Sequence, residues 1–102
     1  MKKGRRRYLL FTLHQKGSQI EEKQLGMAIW KSLLSLYGEI QAADSKLYII
    51  EFDETSGEGI LQCSLPSLQQ VIAAASVIGT INDTEVSFEP RKTSGTIKSL
   101  KS

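Results

Sequence analysis

The densest chemistry in the chain lies at its two ends. Residues 1–7 hold Lys2, Lys3, Arg5, Arg6 and Arg7, residues 91–102 hold Arg91, Lys92, Lys98 and Lys101, and neither stretch contains an acid. Such groups neutralise phosphate: arginine through paired N–H donors, lysine as a point charge, and both by releasing condensed counterions. The segment between the ends has the opposite character, with four lysines facing eleven acids. A formal net charge of +2 therefore conceals cationic arms on an acidic body. That layout suits a protein that grips a polyanion while staying soluble.

Other chemistry is thin. Glu51, Asp53, Glu54 and Glu58 cluster around one turn, and carboxylates of this kind hold Mg²⁺ in some proteins, but acids at an exposed hairpin ordinarily only solvate it. No metal site is expected. His14 and Cys63 fall on different predicted strands, which leaves no Cys/His nucleophile pair. Zinc-type spacing, a phosphate loop and a dinucleotide turn are all missing, and Gly57-Glu58-Gly59 marks only a turn. The polypeptide is expected to carry no catalytic residue and to bind no cofactor. Cys63, the single cysteine, reads as a small apolar strand residue of a reducing compartment. No apolar run reaches the roughly 18 residues of a membrane span, so a cytoplasmic protein without membrane contact is expected.

The elements that position the cations follow from periodicity. With 102 residues there is room for one domain: a basic arm over 1–6, the domain over 7–92, and a basic tail or short helix over 93–102. Arg7 to His14 alternates with Leu9, Phe11 and Leu13 on one side, which predicts a strand. Ser18 and Glu21 form a capping box before a helix whose apolar line, Leu25, Ala28, Ile29, Leu33 and Leu36, ends at Gly38. Met27, Trp30, Leu34 and Tyr37 add a second apolar line, read chiefly as core. Leu47 to Asp53 and Glu58 to Ser64 predict a hairpin. Pro66 opens a second helix through Leu68, Val71, Ile72, Ala75 and Ile78, stopped by Gly79. Asn82-Asp83 turns the chain into a last strand, Glu85 to Arg91.

Strand, helix, strand, strand, helix, strand is the order of a ferredoxin-like α+β sandwich. It predicts a four-stranded antiparallel sheet of order 4-1-3-2 with both helices on one face. In that topology the start of the first strand neighbours the end of the last, so Arg5, Arg6 and Arg7 are expected to share a corner with Arg91 and Lys92. The helices should cover Leu9, Phe11, Leu13, Ile50, Phe52, Leu61, Cys63, Val86 and Phe88. The open face would then carry Leu10, Ile49 and Ile60, an apolar patch that needs either a protein partner or the chain's own Ile97 and Leu100 as a cover. Only Tyr8 is placed to stack on a base there, so sequence-specific reading of single-stranded RNA across the face is not expected.

Several segments together resemble the archaeal and eukaryotic ribonuclease P protein component 2 family. They are Arg6-Arg7-Tyr8, Ala28-Ile29-Trp30, Phe52-Asp53-Glu54 with Gly59-Ile60 and Cys63, and Ser94-Gly95-Thr96-Ile97-Lys98 with Leu100-Lys101. The last string is the most specific. The resemblance implies a subunit of the ribonucleoprotein that removes the 5′ leader from precursor tRNA, in which the RNA carries Mg²⁺-dependent cleavage. It also implies work beside ribonuclease P protein component 3 and other ribonuclease P proteins, and it is compatible with homodimerisation inside a larger assembly. Lys2, Lys3, Arg5, Arg6, Arg7, Arg91, Lys92, Lys98 and Lys101 are the candidate RNA-binding residues, and Leu10, Ile49 and Ile60 the candidate partner surface. Read from the residues alone, a ferredoxin-like protein-binding module whose arms only add solubility is the main alternative. A small phosphate-cradling enzyme of the same topology is a weaker one, because the arginines lie only near the termini.

Overall fold

A computed structural model describes residues 5–101, so Lys2 and Lys3 lie outside the described residues. The fold is α+β, with five antiparallel strands and three helices. Strand β1 (Arg6–Lys16) buries Leu9, Phe11 and Leu13, and it is central because it pairs with β3 (Glu58–Ser64) on one side and β5 (Thr84–Ser94) on the other. Strand β2 (Tyr48–Phe52) forms the edge beyond β3. The sheet order is β2-β3-β1-β5-β4. The expected count of four strands is corrected by β4 (Thr80–Ile81), which pairs with the start of β5. Asn82 and Asp83 turn between them with φ of 49° and 66°, the paired left-handed geometry that a two-residue hairpin of this twist requires. The expected turn is therefore a hairpin that adds a strand.

Two other boundaries move. Helix α1 (Glu22–Asp44) is capped by Glu21 rather than Ser18, with the Gln24 side chain accepting from the Glu21 backbone N–H at 3.0 Å. As expected, its first run ends at Gly38, whose φ of 87° and ψ of 173° are not helical, and after this kink a second helical segment of a turn and a half runs on to Asp44. A 3₁₀ turn (Leu65–Ser67) leads into α2 (Leu68–Ser76), which stops before Gly79. Gly79 instead offers its carbonyl to the Val86 N–H. A short α3 (Ile97–Lys101) follows β5.

The core lies between the sheet and helices α1 and α2, where Phe11 stacks on Phe88 at 4.8 Å and on Phe52 at 6.1 Å. Ile49 belongs to this core, which corrects its expected place on the open face. The reason is a bulge: Ile49 pairs with Leu61, but Glu51 pairs with Ile60, so Ile50 has no opposite residue and the alternation shifts by one. Ile50, expected inside, is only half-buried.

Cys63 is fully buried in β3, and desolvation of the thiolate pushes its thiol up to about 11. In the native protein at pH 8 the thiol should therefore resist a thiol-specific colorimetric reagent, and react promptly once denaturant opens the sheet. Fast labelling of the folded chain would contradict this packing.

Among the described residues no helix is long and apolar enough to cross a membrane.

Candidate nucleic-acid interface

Because Leu9 and Leu61 are buried on the helix side, alternation places Arg6 and Tyr8 of β1 and Gln62 and Ser64 of β3 on the other face. They form two cross-strand pairs, Arg6 with Ser64 and Tyr8 with Gln62. These residues line a groove of about 1090 Å³ at the end of the sheet, together with Arg5, Arg7, Asp44, Lys46 and Gly95. Four cations thus meet one acid. Lys46 follows α1 in a left-handed conformation, φ 53°, and joins the groove from a segment far from the N-terminal arginines. Sequence reading missed it, since an isolated lysine amid acids carries no signal of its own.

The groove's frame is built from backbone. The Leu65 N–H donates to the Arg5 carbonyl at 2.7 Å, and the Ser64 N–H to the Ser45 carbonyl at 2.8 Å. Ser64 Oγ donates to the Asp44 carbonyl and Ser45 Oγ to the Ala42 carbonyl, at 3.0 and 2.6 Å. These donors satisfy carbonyls at the end of α1, which would otherwise present negative partial charge to an incoming anion. Arg7 Nη1 donates to the Arg6 carbonyl at 3.0 Å and lies against Gly95, where an added Cβ would stand 3.1 Å from it.

Arg91 and Lys92 sit farther along. Lys92 pairs with Leu10, three residues from Arg7 or roughly 10 Å along the strand. A second bulge falls at Arg91, between the pairs of Leu10 and Phe11, and Arg91 Nη1 donates to Thr12 Oγ1 at 2.9 Å. Lys92 Nζ donates to the Ser99 carbonyl at 3.2 Å, and Lys101 Nζ pairs with Glu51 at 2.9 Å. Lys98 is exposed on α3. The expected single corner is thus resolved into a groove holding Arg5 to Arg7 with Lys46, and a neighbouring row in which Arg91, Lys92 and Lys101 are already engaged.

The Lys92 and Lys101 contacts flank α3, which lies over the open face. Ile60 is 2% exposed and Leu100 6%, although neither belongs to the helix-side core, and α3 packs against β1 and β5. The tail therefore covers the patch expected of Leu10, Ile49 and Ile60: Ile60 is buried, Leu10 half-buried beside it, and Ile49 is in the core. Exposed apolar side chains lie elsewhere. Met27, Trp30 and Ile40 of α1 and Tyr48 of β2 are 38–77% exposed, so half of the helix's second apolar line lies outside the core assigned to it.

Three of the four acids around the turn have structural duties. Asp53 Oδ1 accepts from the Thr55 and Ser56 N–H groups, Glu54 Oε2 from the Glu22 N–H, and Glu51 pairs with Lys101. Among the described residues no group of three or more His, Cys, Asp or Glu side chains is arranged to hold a metal ion.

On the open face His14 Nε2 donates to Glu89 Oε1 at 2.7 Å. This bond, with the Arg91 charge adding to it, holds the Glu89 carboxyl below its ordinary value. A depressed carboxyl stabilises the fold above its unfolded titration range and loses that contribution as pH falls through the folded one. Replacing His14 by Ala should move the Glu89 carbon-13 titration upward; an unmoved curve would remove His14 as the cause.

A family model described as Rpp14/Pop5 matches residues 7–102. The chain belongs to the Rpp14/Pop5 family. Its relatives in that family include ribonuclease P protein component 2 of Pyrococcus furiosus, 31% identical over 97% of this chain and 82% of that protein. The protein of the same name from Archaeoglobus fulgidus is 34% identical over 97% and 87%. A chain in the cryo-EM structure of yeast ribonuclease MRP superposes with a TM-score of 0.73, covering 94% of this chain and 78% of its own length. At 8% identity that likeness speaks for the fold alone. Family membership agrees with the resemblance carried by the SGTIK string, whose Thr96 accepts from the Ser99 N–H at 3.2 Å to start the helix that closes the open face.

Proposed function

We propose that this chain, a protein subunit of ribonuclease P, holds RNA phosphate in the groove of Arg5, Arg6, Arg7 and Lys46. The sheet is ferredoxin-like in this reading, with β4 as an added edge strand. The observation that carries it is the convergence of four cations from two distant segments on one rigidly framed groove containing a single acid. Arg91, Lys92, Lys98 and Lys101 extend the positive surface along β5 and α3, and Lys2 and Lys3 add charge to the same arm. Folding an RNA active site crowds phosphates together, and cations placed there lower the repulsion and favour the Mg²⁺ that the RNA uses. Cleavage of the 5′ leader from precursor tRNA belongs to the RNA, and the polypeptide supplies no reacting group. The exposed strip of Met27, Trp30, Ile40 and Tyr48 is the surface offered to component 3. The protein works in the cytoplasm.

Reconstitution tests the whole reading. Adding this chain and component 3 to the cognate RNA at modest Mg²⁺ should restore leader removal, and a Trp30→Glu chain should lose the gain that component 3 brings. If omitting this chain makes no difference, the assignment fails.

A further inference from the structure

The cross-strand pairs of the groove suggest more than phosphate binding. Tyr8 and Gln62 face each other across β1 and β3, with Arg6 and Ser64 as the next pair on the same face. Paired side chains of this kind stand about 5 Å apart at Cβ. Tyr8 is half-buried and lines the groove. On its other side along the strand lie Leu10 and Ile60 beneath α3, so the ring stands where an apolar surface gives way to a cationic one. Arg7 is held at the groove wall by the Arg6 carbonyl and by the clear space at Gly95. Gly95 itself follows Ser94, the β5 partner of Tyr8.

Resting on the reading of the groove as an RNA surface, we propose that it takes one unpaired nucleotide. The base lies on the Tyr8 ring with the Gln62 amide at its edge, and the phosphates of that nucleotide and of its neighbours in the strand lie among Arg5, Arg6, Arg7 and Lys46. A duplex keeps its bases stacked inside and offers none to a lone tyrosine, whereas an unpaired nucleotide offers both a base face and a phosphate. With one ring the site accepts any base, in keeping with the missing aromatic on β3.

The test measures binding of the folded chain to single-stranded uridylate and adenylate hexamers, and to a blunt duplex with the same number of phosphates. The hexamers should bind on the order of tenfold more tightly than the duplex, and Tyr8→Ala should lower hexamer affinity on the order of tenfold, as removal of one stacking platform does. The salt dependence should stay at its wild-type slope in Tyr8→Ala, because every cation that meets a phosphate remains, and Tyr8→Phe should bind as wild type. Duplex binding equal to or tighter than hexamer binding overturns the proposal, as does wild-type affinity in Tyr8→Ala. If Tyr8→Ala is neutral while removal of the arginines still weakens binding and flattens the slope, the phosphate reading survives alone. If the arginines are also dispensable, the groove is not the RNA surface.

Discussion

Replacing Arg5, Arg6 and Arg7 together by Ala should reduce the log-log salt slope of RNA binding by roughly two to three, at 0.7 to 0.9 for each phosphate no longer neutralised. The same counterion term implies a loss of affinity of roughly 50- to 150-fold at 0.15 M salt. Arg5 and Arg6 are exposed and Arg7 is half-buried, so the variant should keep its fold, as circular dichroism would verify. Lys46→Ala should reduce the slope by roughly one further unit, since its contribution to the groove is independent of the arm. A triple variant with the wild-type slope would place the RNA surface elsewhere on the molecule.

The largest effect on stability should come from Gly57→Ala. Gly57 lies in the turn between β2 and β3 with φ of +81°, and a Cβ there would stand 2.2 Å from the Leu13 carbonyl oxygen. That carbonyl cannot move aside, because it belongs to the central strand and the Leu13 N–H donates to Gly57's own carbonyl at 2.7 Å. Left-handed strain and a backbone collision together should cost roughly 3–5 kcal/mol. For a domain of this size, that lowers Tm on the order of 15–30 °C. Gly17 provides the comparison: its φ is +102°, but nothing lies within 4 Å of its Cβ direction. Gly17→Ala should therefore cost only the strain, about 1 kcal/mol, and melting curves of the two variants separate the terms. Equal shifts would show that the collision with Leu13 contributes nothing.

Local pattern alone was enough to identify several parts of this protein. The segregation of charge into the two ends is written in residue order, and the alternation of Leu9, Phe11 and Leu13 assigned the core face of the central strand before any neighbour was known. Strand parity is a property of consecutive residues, so it survives into the fold wherever the ladder is regular. It fails at bulges. The extra residue at Ile50 turned Ile49 into the core, and the one at Arg91 aimed that side chain across β1 at Thr12. A bulge is decided by how two strands meet, which neither strand encodes by itself.

The groove and its cover belong to tertiary structure for the same reason. Lys46 joins the N-terminal arginines only because Ser64 and Ser45 tie the end of α1 to the end of β3. The apolar patch on the open face is closed by Leu100, which is buried there with Ile60, while Lys101 reaches Glu51 and Lys92 reaches the Ser99 carbonyl at the rim. Sequence supplied the cations and the periods, which depend on near neighbours. Which charges share a groove, and which apolar side chains stay in water, depended on distances between segments that only packing establishes.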